Sequence, residues 1–158
     1  METPKEKPLY IPIMTELPFA YSAGRPLSRF LVALRDEAKI LASHCKNCDR
    51  VYVPPRLFCP QCHKKMSDYV EAGPGGTLET YSVINFSFID PFTGIERPIP
   101  YGYGIIKLDG CNNLLPHFLD ISDHEKLAIG QRVEAVFEPR EQRIGALTDI
   151  KFFRVLVG

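Results

Sequence analysis

The sequence predicts a mainly β fold, in which an N-terminal helix and a four-cysteine zinc ribbon precede a five-stranded OB-fold barrel. Three observations carry this. Two Cys-x-x-Cys pairs stand ten residues apart, an amphipathic segment runs directly into them, and alternating strand patterns begin after the breaker Gly73-Pro74-Gly75-Gly76.

The chain begins with an arm, residues 1–25, in which Pro4, Pro8, Pro12 and Pro18 interrupt short apolar pairs. Each proline removes an amide donor and breaks any helix, so an extended segment is expected. Tyr10, Ile11, Ile13, Leu17 and Phe19 give this arm more apolar surface than a spacer needs, which predicts a partner contact through Tyr10, Ile13 and Phe19.

The second unit, residues 26–72, starts with a helix over 26–38. Leu27, Phe30, Leu31, Leu34 and Ala38 recur at three- and four-residue spacing, and Phe30 is an aromatic candidate for the contact surface. A short strand-like run over 39–44 delivers the first cysteine pair. A two-residue gap lets both thiolates of a pair converge on one ion, so Cys45, Cys48, Cys59 and Cys62 complete a tetrahedron. Four thiolates leave no position for a reacting water, which describes a structural site. Zinc is expected, although iron in the same four-sulfur cage fits the spacing too. His44 and His63 flank the ligands and are read as surface residues.

The third unit, residues 73–158, supplies strands over 78–88, 103–108, 113–119, 131–137 and 146–155. Ser122-Asp123-His124-Glu125 has capping-box spacing and predicts a short helix up to Gly130, between the third and fourth strands, as the OB-fold order requires. The loop from Phe86 to Tyr103 interleaves aromatic and aliphatic residues with Pro and Gly. Phe88, Phe92 and Tyr101 are its candidate contacts.

No catalytic residue is expected. Cys111 falls beside an Asp109-Gly110 turn without a cue for thiolate activation, His117 and His124 are isolated, and no pair of carboxylates stands out. Lys and Arg total 19 and so do Asp and Glu, a balance that gives no attraction to phosphate polymers or acidic membranes. The first twenty residues lack an apolar signal core and no run of about 18 apolar residues spans a bilayer, so a cytoplasmic protein without a membrane partner is expected.

Further residues carry a resemblance. Cys45-Lys46-Asn47-Cys48, Pro54-Pro55-Arg56 ahead of Cys59-Pro60-Gln61-Cys62, Gly73-Pro74-Gly75-Gly76-Thr77-Leu78, Pro100-Tyr101, Ile105-Ile106-Lys107-Leu108-Asp109-Gly110 and Ile129-Gly130-Gln131-Arg132-Val133 resemble the zinc-ribbon plus OB-fold proteins encoded beside thiolases and other acyl-CoA enzymes. The resemblance implies a non-catalytic accessory subunit. Its thiolase-like partner would carry the nucleophile, and acyl-CoA would be met through the complex. The segment from Cys111 to His117 matches no shared motif. Two other functions compete: a single-stranded nucleic-acid binder stacking bases on Tyr81, Phe86 and Phe88, which the charge balance opposes, and a free-standing acyl-CoA binder using Lys107, Arg132, Arg140 and Arg143.

Overall fold

The computed structural model describes residues 21–87, 89 and 96–156. Most of the arm lies outside these residues, including Tyr10, Ile13 and Phe19, as do Phe88 and Phe92. Among the described residues no helix is long and apolar enough to cross a membrane.

Helix α1 spans Gly24–Glu37 and starts two residues before the expected position. Its apolar stripe buries Phe30, Ala33 and Leu34. Ala38 in the left-handed conformation ends it, and the amide of Lys39 donates to Ala33 O at 3.2 Å, closing the last turn. Phe30 is 1% exposed. It is therefore not a contact residue on the surface: the helix turns its one aromatic ring inward, where burial contributes about 1.5–3 kcal/mol.

Three strands follow in an antiparallel sheet: β1 (Ile40–Cys45), β2 (Arg50–Tyr52) and β3 (Asp68–Ala72), in the order β2-β1-β3. The barrel is built from β4 (Gly75–Ile84), β5 (Tyr101–Leu108), β6 (Leu115–Leu119), β7 (Arg132–Phe137) and β8 (Ile150–Leu156). It closes in the order β4-β5-β6-β8-β7, with β6 and β8 parallel and the other pairs antiparallel. Closure removes the strand edges that an open sheet would expose. Gly102 permits it, because a Cβ there would overlap the carbonyl of Ile121.

Four expectations shift. The first barrel strand stops at Ile84; the third begins at Leu115, because Asn112 and Asn113 are bonded to Val51 and Val53, and the fifth begins at Ile150, because Leu147–Asp149 form a 3-10 turn. The helix after Ser122 is a single 3-10 turn, His124–Lys126, and its N-cap is Asp123, whose carboxylate accepts from the amide of Glu125.

Helix, ribbon and barrel share one core. Phe30 and Leu34 from α1, Ile40, Ala42 and Val53 from the ribbon, and Leu78, Leu108, Leu115, Val133 and Phe153 from the barrel form a continuous buried cluster. A small second cluster of Cys45, Tyr52, Cys59 and Met66 surrounds the thiols. The ribbon is thus packed against the barrel rather than tethered to it.

Candidate metal centre and its coupling to the barrel

The two cysteine pairs form matching knuckles. In the first, the amide of Asp49 donates to Cys45 O at 2.8 Å; in the second, His63 donates to Cys59 O at 2.9 Å. Asp49 and His63 both take the left-handed conformation, with φ of 54° and 57°, which turns each chain back under its sulfurs. The Sγ atoms of Cys45 and Cys62 lie 3.5 Å apart, as do those of Cys48 and Cys59, and all four fall within 4.8 Å of one another. Thiolates bound tetrahedrally at about 2.3 Å from zinc sit about 3.8 Å apart, so the cage has the size of a zinc site.

The electrostatics agree. Burial opposes ionisation of Cys59, but the amides of Cys62 and Gln61 and the neighbouring thiols outweigh it and bring its thiol down to about 6. Burial, followed by the surrounding sulfurs, pushes Cys48 up to about 12. Such a cage gathers four thiolates only around a cation, and with four sulfurs the ion has no open position. Tyr52 Oη stands 3.9 Å from Cys59 Sγ, placed to donate to the thiolate. His44 does not compete for the metal, since its Nε2 lies 2.7 Å from Asp49 Oδ1. His63 is exposed. One structural zinc held by Cys45, Cys48, Cys59 and Cys62 is the site these residues make.

The segment that matched no motif proves to be the fastening between ribbon and barrel. At the tip between β5 and β6, the amide of Asn112 donates to Val51 O at 2.8 Å, and Asn112 Oδ1 accepts from the amide of Val51 at 2.7 Å. Asn113 repeats the exchange one position on: its Oδ1 accepts from the amide of Val53 at 2.9 Å, and its Nδ2 donates to Val53 O. Asn112, through its backbone amide and side-chain oxygen, and Asn113, through its side-chain amide, thus act as a mock strand along the free edge of β2 and Val53 just beyond it. The only signal in the sequence was a pair of asparagines after an Asp-Gly turn. Asn113→Ala is expected to raise hydrogen exchange at the amide of Val53 by about one order of magnitude while zinc stays bound, because both side-chain hydrogen bonds to Val53 are lost, including the one of about 1 kcal/mol that protects this amide.

Cys111, expected in an open turn, is 4% exposed and belongs to the shared core. Burial and then the charge of Asp109 push its thiol up to about 11, which leaves it protonated and unreactive. His117 is also buried, with Nε2 at 3.3 Å from Leu147 O and no partner for Nδ1 among the described residues. Burial holds its pKa below the ordinary histidine value. A histidine depressed in the folded state contributes stability above its unfolded pKa of about 6.5, and this is lost as the pH falls through the folded value. The melting temperature should therefore decline below about pH 6.5, and His117→Leu should flatten that decline in a pH series of thermal melts.

The basic residues considered for phosphates are not brought together. Arg132 pairs with Asp109, Nη1 to Oδ1 at 2.8 Å, and also reaches Thr77. Arg143 Nη1 donates to Leu34 O at 3.1 Å. Lys107 and Arg140 are exposed and form no ion pair among the described residues. Tyr81 is likewise occupied, since its hydroxyl donates to Leu127 O at 2.8 Å. Tyr101 is half-buried in a group with Phe118 and Arg97, whose guanidinium lies 3.6 Å over the Phe118 ring, and this group pins the base of the long loop.

Fold and site together define a zinc ribbon joined to an OB-fold barrel. Residues 33–66 match the family model described as the ChsH2 rubredoxin-like zinc ribbon domain, and residues 69–138 match that of the ChsH2 C-terminal OB-fold domain. The chain belongs to the DUF35 family. A DUF35 domain-containing scaffold protein of Methanocaldococcus jannaschii is 31% identical over 105 residues, 66% of this chain and 71% of the relative. One from Methanothermobacter thermautotrophicus is 31% identical over 99 residues, 62% of this chain and 71% of the relative. Among solved structures, the Ltp2-ChsH2(DUF35) aldolase superposes with a TM-score of 0.63 at 20% identity, covering 87% of this chain and 100% of that one. A DUF35-family protein of unknown function from Sulfolobus solfataricus gives 0.57 at 20% identity, over 84% of this chain and 83% of that one.

Proposed function

We propose that this chain is the non-catalytic zinc-binding accessory subunit of a thiolase-type acyl-CoA acyltransferase. The observation that carries this reading is the commitment of its reactive groups: four cysteines serve the metal, while Cys111 and His117 are buried without an activating partner. At the same time large apolar side chains face outward, among them Phe58, Phe86, Ile89 and Ile99. A chain whose described cysteines are committed to metal or buried, and which has apolar surface to cover, is suited to holding an enzyme. Relatives that are DUF35 domain-containing scaffold proteins, and the structural likeness to the Ltp2-ChsH2(DUF35) aldolase, support the accessory-subunit part of this reading.

We further infer the thiolase that cleaves benzoylsuccinyl-CoA, in anaerobic aromatic degradation, as the particular complex. The arm over 1–25 and the loop beyond Phe86 would grasp the catalytic subunit through Tyr10, Ile13, Phe19, Phe88, Phe92 and Tyr101. The helix and ribbon over 26–72 and the barrel over 73–158 would form the platform, in the cytoplasm, where thiols stay reduced and free to hold metal. Acyl-CoA would be met at the joint surface. Purification of the tagged chain from its host, with mass spectrometry of what accompanies it in fixed ratio, tests this. Recovery of a thiolase-like chain is the expected result, and recovery of nucleic acid or of no enzyme would overturn it.

A further inference from the structure

The zero net charge of the chain conceals an asymmetry. Residues 21–72 carry nine Lys and Arg against five Asp and Glu, whereas residues 73–156 carry eight against eleven. Part of that positive excess is gathered in a groove between α1 and the second knuckle. A hollow of about 700 Å³ is walled by Arg25, Leu27 and Arg29 on the helix and by Leu57, Lys65 and Tyr69 opposite. Among the described residues no carboxylate lines it. A second hollow of about 400 Å³ shares Arg29 and Tyr69 and continues along the helix past Val32 towards Glu37.

Three features describe what belongs there. Arg25, Arg29 and Lys65 form no ion pair among the described residues, and Arg29 rests its guanidinium 4.9 Å over the Tyr69 ring. The two arginines stand one helical turn apart and Lys65 stands on the facing wall, so the positive charge is spread along the groove rather than focused on one point. Lastly, β3 is an edge strand: the sheet order β2-β1-β3 leaves its outer side without a strand partner among the described residues, while the free edge of β2 is already taken by Asn112 and Asn113. A long hollow with an apolar floor, cations along the walls of its larger part and Tyr69 of the edge strand β3 in its lining fits a chain, not a compact ion.

We propose that this groove docks an extended acidic segment of the catalytic subunit, an inference that rests on the accessory-subunit reading. Apolar side chains of that segment lie on Leu27, Leu57 and Tyr69, its carboxylates meet Arg25, Arg29 and Lys65, and its backbone approaches the edge of β3. Charge complementarity fixes both the sign and the run of the partner.

The test uses the full-length chain and its co-purified catalytic subunit, separated and remixed. Wild type binding the subunit while the variant Arg25→Glu/Arg29→Glu/Lys65→Glu binds about 100-fold more weakly, with unchanged zinc content and melting temperature, is the expected result. Lys107→Glu, on the barrel, should bind as wild type. A photo-crosslinking residue at Val32 should capture an acidic stretch of the catalytic subunit. Equal binding by the triple variant, or capture of the chain's own residues 1–20, would overturn the proposal. If wild type itself binds no catalytic subunit, the accessory-subunit reading fails and the groove assignment falls with it. If wild type binds and the triple variant binds equally, only the groove assignment fails.

Discussion

Stripping the zinc, by a strong chelator or by Cys59→Ser, is expected to unfold the ribbon and loosen the barrel with it. Structural zinc in small ribbons contributes an apparent 10–16 kcal/mol or so, as much as the whole stability of roughly 5–15 kcal/mol typical of a domain. Around the thiols only Cys45, Tyr52, Cys59 and Met66 form a buried cluster, too small to order both knuckles without the ion. The damage should spread, because β2 runs from the first knuckle straight into Val51 and Val53, the residues that Asn112 and Asn113 hold. Release of one zinc per chain, followed colorimetrically beside amide spectra, should coincide with loss of the signals of residues 40–72 and with exchange of the β5–β6 tip. A ribbon whose signals persist after the metal is gone would contradict this.

The second large effect is expected at Asp149, which is 1% exposed. Its carboxylate accepts from the amides of Ile144 at 2.9 Å, Gly145 at 2.8 Å and Ala146 at 3.3 Å. These bonds fold the segment before β8 onto α1, where Arg143 reaches the carbonyl of Leu34. Asp149→Ala leaves amide donors buried without an acceptor and should cost about 3 kcal/mol or more. Asp149→Asn, which keeps one acceptor oxygen, should cost less. Urea melts of both variants check the order. A wild-type midpoint for Asp149→Ala would show that the segment is held by something else.

The sequence made the metal centre legible because two-residue gaps between thiolates have few uses other than a metal. Much of the barrel was legible because its strands alternate, with Ile106 and Leu108, Val133 and Ala135, and Phe153 and Val155 buried at two-residue spacing, although bulges between Leu78 and Thr80 and between Val136 and Phe137 break the pattern and turn Tyr81 and Val83 to the core. Strand starts were less so. Asn112 and Asn113 extend an alternating pattern, yet their polar groups serve Val51 and Val53, and no local pattern reports a partner 60 residues away; the run from Ala146 to Asp149 extends one too, yet the Asp149 carboxylate turns back onto the amides of Ile144, Gly145 and Ala146. Phe30 shows a related limit: an aromatic on an amphipathic helix serves core and contact surface equally well until the helix is docked. The groove was illegible for the same reason, since Lys65 reaches Arg25 and Arg29 only through the fold. The cap at Asp123 instead of Ser122 was a choice between adjacent side chains that local turn geometry decides.

The proposed function divides the labour, with structure in this chain and chemistry in its partner. Its most direct test is to titrate the separated catalytic subunit with the purified chain while following coenzyme-A-dependent cleavage of a β-keto acyl thioester. The account predicts no turnover by this chain alone, little by the catalytic subunit alone, and a rise that saturates at a fixed molar ratio. Cleavage by this chain alone, or full activity of the catalytic subunit without it, would contradict the account.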